Sequence, residues 1–367
     1  MRIAFYGSSL LSSYWNGAAT YYRGMLRDLH ARGYRTTFYE PDAFDRQLHR
    51  DIDPPDWAEV VVYPATEEGL ARVLAAAADA DVVVKASGVG VFDDALVEGV
   101  MARARPDAIR IFWDVDAPAT LAALRAGSEE PLRRTLPGLD AVFTYGGGPP
   151  VVDAYEGFGA RRCVPIYNAL DPATHHPVPP EARFGADLSF LANRLPDREA
   201  RVERFFLDAA ARLPGRAFLL GGNGWDGKPM PDNVRRIGHV GTRDHNAFNT
   251  SPLAVLNVAR DSMAEVGYSP ATRVFEAAGA GACLITDAWV GLELFLDAGT
   301  EVLVAHDGAE VAAHVAALTP ERARAIGDAA RARILRDHTY ARRGAEVDAI
   351  LKARRAERNA AALGTAR

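Results

Sequence analysis

The chain has 367 residues, a length that predicts two domains of ordinary size. Hydrophobic residues make up 49% and charged residues 25% of it, a composition typical of globular proteins that excludes disordered, collagen-like and disulfide-stapled chains. The 42 basic and 48 acidic residues give a formal charge of −6, which disfavours a protein that coats nucleic acid, because binding phosphates needs a basic surface.

Short β-branched runs alternate with longer segments of helical period, which is the pattern of βαβ units. In the first half it predicts strands at residues 2–6, 36–39, 60–63, 81–85, 109–113, 141–145 and 162–167, with helices at 17–32, 67–78, 93–104 and 149–159. A proline-rich segment, 168–180, then predicts a hinge. Beyond it come strands at 187–191, 217–221, 234–237, 254–258, 282–286 and 301–304, with helices at 197–212, 271–280, 309–318, 320–337 and 340–361.

This order predicts an α/β fold of two doubly wound, Rossmann-like domains with a ligand cleft at the carboxyl ends of their strands. The predicted boundaries are a first domain at 1–170, a hinge at 171–186, a second domain at 187–336 and a basic helix at 337–367. Dehydrogenases, nucleotide-sugar transferases, sugar-nucleotide epimerases and periplasmic binding proteins all use such an arrangement. The first residues lack the apolar run of a signal peptide, which counts against the last class.

Two cysteines, Cys163 and Cys283, lie far apart in the sequence, with no partner at a zinc-binding spacing. A reducing, cytoplasmic compartment is therefore expected. No window approaches the run of about 18 apolar residues that a membrane-spanning helix needs, so none is predicted.

Two glycine-containing loops follow strands of the first domain. The segment Gly88-Val-Gly90 resembles a dinucleotide fingerprint, but Asp93 stands at its third glycine position, so a tight βα turn is favoured. The loop after the first strand contains Ser8, Ser9, Asn16 and Gly17. The helix that follows Gly17 would offer free N–H groups to an acceptor or a diphosphate, or Asn16 would simply cap that helix.

Asp114 and Asp116 flank a valine where the fifth strand ends. Such a pair can chelate a metal, cap a helix, or serve as acid, base or acceptor contact. Asp116 lies further beyond the strand and is the better candidate to face a substrate.

Four segments of the second domain carry candidate ligand contacts. Arg194 follows a predicted strand, and the planar guanidinium of an arginine can bind two phosphate oxygens at once. Glycines at a strand end let a ligand approach the backbone, and a lone histidine there is a hydrogen-bonded loop residue, a base or a phosphate contact. The fourth segment predicts a helix with an arginine and a glutamate three residues apart on one face, where the carboxylate could accept ribose hydroxyls and the guanidinium could reach a diphosphate. The residues are Arg194, Gly222, Gly238, His239, Arg273 and Glu276. The alternative is that Arg273 and Glu276 form an exposed ion pair, which would stabilise the helix by about 0.3–0.5 kcal/mol. The small residues at 277–281 favour a buried pair instead.

Residues 267–287, with Leu191–Arg194 and 233–240 upstream, resemble the group 1 glycosyltransferases and, more narrowly, the spore maturation protein CgeB family. The resemblance implies a GT-B fold in which the second domain holds a nucleotide-diphosphate sugar, favoured as a UDP-sugar, the first holds the acceptor, and no metal or other cofactor is needed. It also implies that the last helix crosses back to the first domain.

The resemblance assigns a role to several of these residues. Glu276 matches the ribose-binding glutamate, Arg194 the diphosphate contact, and the backbone of 238–240 the segment against the base; Tyr268 and Ser269 match the loop near the donor phosphate. Two departures stand out. Tyr268 occupies the position of a second family glutamate, and the family's lysine after Arg194 is absent, which leaves Arg198 or Arg201 as substitutes.

The predicted activity is sugar transfer to an unidentified hydroxyl on a glycan, protein or small molecule. Asp116 or Asp114 would act as the base if configuration inverts, or orient the acceptor if it is retained. A sugar-nucleotide epimerase or hydrolase and a non-catalytic nucleotide-sugar-binding protein are the alternatives. Residues 331–367 hold ten basic and four acidic residues, so this end could touch an anionic membrane peripherally, on its cytoplasmic face.

Overall fold

The computed structural model describes residues 1–14, 16–127 and 130–365. The chain forms two compact units, the first made of Met1–Tyr167 with Tyr340–Arg367 and the second of Asn168–Thr339. The segment predicted as a hinge, 171–186, lies within the second unit, where Phe184 is buried.

The first unit is built on a seven-stranded, all-parallel sheet in the order β3-β2-β1-β4-β5-β6-β7. Its strands are β1 (Arg2–Tyr6), β2 (Arg35–Asp42), β3 (Glu59–Pro64), β4 (Val82–Ala86), β5 (Ile109–Asp114), β6 (Ala141–Thr144) and β7 (Cys163–Pro165). Its helices are α1 (Ala18–Ala31), α2 (Glu67–Ala75), α3 (Asp93–Arg103), α4 (Ala117–Ala126), α5 (Glu130–Thr135) and α6 (Pro149–Gly157), with 3-10 turns at Arg46–His49, Ala76–Asp79 and Leu136–Gly138.

The second unit repeats this plan with six parallel strands in the order β10-β9-β8-β11-β12-β13. They are β8 (Leu188–Leu191), β9 (Phe218–Gly221), β10 (Val234–Gly238), β11 (Ala254–Asn257), β12 (Leu284–Asp287) and β13 (Leu303–Ala305). The helices are α7 (Pro196–Val202), a π-helical turn (Glu203–Leu207), α8 (Asp208–Arg212), α9 (His245–Thr250), α10 (Asp261–Val266), α11 (Thr272–Gly279), α12 (Gly308–Ala317) and α13 (Pro320–Asp337), with 3-10 turns at Ala182–Phe184, Thr242–Asp244 and Leu292–Leu294.

Each of the thirteen predicted strands is present, and the predicted class, two doubly wound Rossmann-like units, is confirmed. Central strands such as β4, buried along its whole length, form continuous apolar runs because helices cover both faces of a parallel sheet. Strand order reverses between β1 and β4 and again between β8 and β11. Open α/β sheets bind ligands beyond the carboxyl ends of the strands at such switch points.

The last helix, α14 (Tyr340–Thr365), belongs to the first unit. Its arginines pair with acids at the edge of the first sheet: Arg354 and Arg358 both contact the buried Asp140, and Arg355 contacts Asp81 at 3.0 Å. These contacts leave fewer basic groups for an anionic membrane than the sequence suggested. Within the described ranges, the helices are too short or too polar to cross a bilayer.

Candidate functional site

The carboxyl edge of the second sheet brings together charged side chains from α7, α9 and α11. The loop after β8 and the loop after β11 flank the switch point of this sheet. Because the first turn of α7 follows one of these loops directly, side chains of α7 reach the same edge. Several of the predicted donor contacts lie here, but their hydrogen bonds differ from those expected.

Arg194 is occupied by an internal ion pair. Its Nε and Nη2 donate to the two carboxylate oxygens of Glu199 at 2.8 and 2.7 Å, a fork-to-fork arrangement. Lys228 also donates to Glu199 at 2.7 Å. Hydrogen bonds from Arg194 and Lys228 lower the pKa of Glu199 to about 2, so the carboxylate stays charged and holds the guanidinium. Arg194, the predicted diphosphate contact, therefore uses these donors on a carboxylate of its own unit.

Arg201, one of the two residues that could replace the family's missing lysine, also forms an internal ion pair. Its Nη2 donates to Asp287 at 2.5 Å, and Asp287 is fully buried at the end of β12. Asp287 also accepts the backbone N–H of Ala259 at 3.1 Å. This network ties α7 to the loop after β11 and gives Arg201 a structural role.

Among the described residues, no carboxylate forms a hydrogen bond or ion pair with Arg198 or Arg273. Burial lowers the pKa of Arg198 to about 10, and the nearby positive charge of Arg273 acts in the same direction. The Nε of Arg198 and the Nη1 of Arg273 are buried without a hydrogen-bond partner, while Arg198 Nη2 donates to the carbonyl of Asn193 at 3.2 Å. Two half-buried, mutually repelling guanidinium groups, each with one buried and unused donor, form a strong candidate site for an anion.

Glu276 lies on α11 one turn beyond Arg273 and is 8% exposed. Burial acts to raise the pKa of Glu276, but its electrostatic interactions with His175, His245 and Arg273 outweigh burial, and the pKa lies below the ordinary value. The predicted buried Arg–Glu face is present. Neither histidine was predicted as a site residue, since His175 lies in the predicted hinge and His245 begins a helix that was not predicted.

The loop before α11 is held in a backbone conformation that few residues adopt. Gly267 has φ 73° and ψ −177°, a region essentially restricted to glycine. Tyr268 has φ 50°, and its N–H donates to the carbonyl of Val290 at 2.6 Å. The Ser269 hydroxyl donates to the Gly267 carbonyl at 2.9 Å, so it stabilises the loop itself. Left-handed non-glycine residues cluster at ligand sites, which is consistent with the phosphate-loop prediction.

The glycines after β9 and β10 differ in their surroundings. Gly222 has φ 113°, and a Cβ there would lie 2.1 Å from the carbonyl oxygen of Ala192, so close packing of two loops requires glycine. Gly238 has φ 66° and open space around it, which leaves its backbone accessible. His239 is exposed and lines a shallow cavity of about 170 Å³ with Arg183.

In the first unit, Asp114 is fully buried and fully hydrogen-bonded. Its oxygens accept the hydroxyls of Ser87 at 2.7 Å, Thr120 at 3.0 Å and Tyr155 at 2.5 Å. Burial raises the pKa of Asp114 despite these bonds. Asp114 also accepts the N–H of Asp116 at 3.0 Å, so it positions Asp116, which is partly exposed at the start of α4. This geometry favours Asp116 over Asp114 as a substrate contact.

The loop after β1 is fixed by hydrogen bonds of its own. Asn16 does not cap α1; its Nδ2 donates to the carbonyls of Ser9 and Ser12, and its Oδ1 accepts the hydroxyl of Ser8. Ser9 donates to the fully buried Glu40 at 3.0 Å, a contact that sequence reasoning missed. Gly17, the residue before α1, provides no side-chain cap, but the N–H of Ala19 in the first turn already donates to the carbonyl of Asn16 at 3.2 Å.

The Gly88–Gly90 segment is a tight turn closed by Asp93. The carboxylate of Asp93 accepts the N–H of Val89 at 3.2 Å and of Gly90 at 2.7 Å, and it pairs with the buried Lys85. A carboxylate thus occupies the amides that would bind a dinucleotide phosphate. The geometry agrees with the favoured βα-turn interpretation.

Comparison with known proteins gives a family match and a set of similar folds. Residues 198–349 match a family model described as glycosyl transferase-like. Anabaena Alr3699/HepE, solved with UDP and glucose, has 14% identity and a TM-score of 0.68, with 96% of this chain and 100% of that chain covered. Sucrose-phosphate synthase from Thermosynechococcus elongatus has 14% identity and a TM-score of 0.67, covering 96% and 98%. AviGT4, a glycosyltransferase of avilamycin A biosynthesis, has 17% identity and a TM-score of 0.63, covering 97% and 98%.

No curated protein sequence matches the chain. The structural matches establish the GT-B fold, in which two Rossmann-like units are combined in one chain. The match of residues 198–349 to the glycosyl transferase-like family model classes the chain as a glycosyltransferase, and the fold agrees with that class. The predicted fold and enzyme class are thus confirmed.

Proposed function

We propose that this chain transfers a sugar from a UDP-sugar to an acceptor hydroxyl, and that within the group 1 glycosyltransferases it is CgeB-like. The observation that carries the proposal is the group formed by the buried Glu276 and the half-buried Arg198 and Arg273, each with an unpaired buried nitrogen, at the carboxyl edge of the second sheet. It combines unused guanidinium donors with an ionised carboxylate, the two chemistries that a nucleoside diphosphate needs.

In this proposal, Glu276 accepts hydrogen bonds from the ribose hydroxyls while Arg198 and Arg273 bind the diphosphate. Negative charge grows on the diphosphate as the glycosidic bond breaks, and preorganised donors in a desolvated site stabilise that charge strongly. Arg198 takes the role that the sequence assigned to Arg194, because Glu199 already holds Arg194. Transfer would then need no metal ion, since the two guanidinium groups supply the positive charge.

Uridine is favoured as the base because Anabaena Alr3699/HepE was solved with UDP and with UDP-glucose. The backbone at Gly238, with open space around it, and the neighbouring His239 are the proposed contacts of the base. Tyr268 and Ser269 shape the proposed donor-phosphate loop.

Asp116 is the residue proposed to act on the acceptor hydroxyl. Its backbone N–H is held by Asp114, and its position at the start of α4 leaves it partly exposed. In an inverting reaction it would take the proton of the acceptor hydroxyl; in a retaining reaction it would orient that hydroxyl. The N–H groups at the start of α1, apart from that of Ala19, are proposed as a further acceptor contact. Ser8 and Ser9 support this loop instead, because both are buried and their hydroxyls donate to Asn16 and Glu40.

A reducing, cytoplasmic location is supported by Cys163 and Cys283, which are both buried and free. Contact with an anionic membrane through α14 would have to come from basic groups other than Arg354, Arg355 and Arg358, which form ion pairs. Sedimentation with anionic vesicles at low and moderate salt tests this contact.

The function is tested by titrating the full chain with UDP, GDP, ADP and TDP in a calorimeter, and then assaying UDP release from UDP-sugars with an acceptor panel. Tightest binding by UDP and acceptor-dependent UDP release are expected. Absence of binding by every nucleotide would contradict the proposal, and sugar release from the donor alone would point to a hydrolase.

A further inference from the structure

Two histidines and a glutamate from three separate segments of the second unit converge on one point. His175 comes from the segment before β8, His245 is the first residue of α9, and Glu276 lies on α11. One potential ligand atom from each lies within 4.8 Å of the other two. The backbone therefore brings together a donor set, two imidazoles and one carboxylate, that borderline divalent metals prefer.

The hydrogen bonds of His175 leave a ring lone pair directed at Glu276. The Thr174 hydroxyl lies 3.1 Å from the carbonyl of Asp171, which can only accept, so its single proton is used there. The hydroxyl oxygen then accepts the Nδ1–H of His175 at 3.0 Å. His175 Nε2 is buried without a hydrogen bond, 3.7 Å from Oε1 of Glu276. That separation is close to the ~3.3 Å between two ligand atoms of a tetrahedral zinc ion with bonds of about 2.0–2.1 Å.

His245 is oriented in a similar way. Its Nε2 lies 3.3 Å from the carbonyl of Val240, which only accepts, so Nε2 carries the proton and Nδ1 keeps a lone pair. Outer hydrogen bonds that fix the tautomer and ring orientation are typical of histidines that bind metals. His175 thus presents Nε2 to the Glu276 carboxylate, and the hydrogen bond of His245 leaves the lone pair of its Nδ1 for a ligand.

We infer that His175, His245 and Glu276 form a binding site for one Zn²⁺ ion, and that the ion excludes the nucleotide by taking the Glu276 carboxylate. The second half of this inference depends on the proposed function, because there Glu276 accepts the ribose hydroxyls. Three protein ligands leave a fourth position of a tetrahedral ion for water. Zinc at this site is an inhibitor of donor binding and has no part in the transfer step.

Arg273 should affect the binding of zinc and of UDP in opposite directions. Its guanidinium interacts electrostatically with Glu276 and His245, so it repels a metal ion bound between them while it attracts a diphosphate. Replacing Arg273 with glutamine is therefore expected to tighten Zn²⁺ binding by about tenfold and to weaken UDP binding. A merely structural cluster would not change the two affinities in opposite directions.

The test uses the full chain, treated with a chelator and titrated with Zn²⁺ against a chromophoric competitor. One site is expected, weakened by about tenfold or more in His175→Asn and in His245→Asn, and changed less than about twofold in the control His176→Asn, whose side chain is the exposed neighbour. Cobalt(II) titration of the unmodified protein should give the intense visible absorption of a four-coordinate ion, a readout that needs no variant to fold.

Equal zinc affinity in His175→Asn and the unmodified protein, or the weak spectrum of six-coordinate cobalt, would overturn the zinc site whatever UDP does. UDP is titrated separately, first without zinc and then with zinc at saturation. UDP binding that zinc leaves unchanged would refute the exclusion while the proposed function stands. Zinc binding without any UDP binding would instead contradict the proposed function and leave the metal site intact.

Discussion

Replacing Arg198 with glutamine removes one of the two half-buried guanidinium groups that form no ion pair with a carboxylate of the described residues. A hydrogen bond to a charged group contributes about 1.5–3 kcal/mol, and about 1.4 kcal/mol corresponds to tenfold in affinity, so UDP should bind about 10- to 150-fold more weakly. The variant should also be slightly more stable without ligand, because the neighbouring charge of Arg273 no longer has to be accommodated beside it.

Arg194→Gln is the matched control, since Arg194 lies in the loop just before α7, which carries Arg198, but its Nε and Nη2 donors are bound to Glu199. Its UDP affinity should stay within about threefold of the unmodified chain, because Lys228 still pairs with Glu199. Calorimetry measures both affinities, and thermal unfolding without ligand measures both stabilities. The reverse order, with Arg194→Gln losing tenfold or more and Arg198→Gln unchanged, would refute the reasoning.

Asp116→Ala should lower acceptor-dependent UDP release by about 10²- to 10⁴-fold with UDP affinity unchanged; full turnover in steady-state assays would remove it from the acceptor chemistry. Gly267→Ala should destabilise the chain by about 1–3 kcal/mol in urea unfolding, because its φ of 73° with ψ −177° is strained for alanine, and an unchanged midpoint would contradict that strain. Burial acts to raise the pKa of Asp81, but the Arg2 amide and the Arg105 guanidinium outweigh it and lower the pKa below its ordinary value. This carboxylate therefore stabilises the fold above its unfolded pKa, and that contribution is lost as pH falls through the lowered folded value; acid unfolding of Asp81→Asn should depend less on pH than that of the unmodified chain.

The strands were predictable because each is a short β-branched run bounded by turn residues, and the repetition of strand and helix specifies a parallel sheet. The helices α4, α5, α9 and α10 were not predicted. Three of them have only six residues, and α9 consists largely of weak helix formers, so tertiary packing determines them.

The candidate site was predictable in part. Arg273 and Glu276 are three residues apart, so helical geometry alone places them on one face, and the small residues after them indicate burial. His175 could not be found in this way, because its segment is aperiodic and rich in proline. A partly informative signal was the adjacency of His175 and His176, which marks an imidazole-rich position without saying what it contacts.

The sequence by itself determined the two Rossmann-like units and the identity of α11 as the helix that carries charge into the second one, because periodicity and spacing are local properties of the chain. Only the tertiary structure decided which charges remain available. Arg194 pairs with Glu199 and Arg201 with the buried Asp287, whereas Arg198 keeps a donor unused, although all three arginines lie within eight residues of one another. The physical reason is that an ion pair depends on distances of a few ångströms between segments that the fold brings together, and no local pattern encodes those distances.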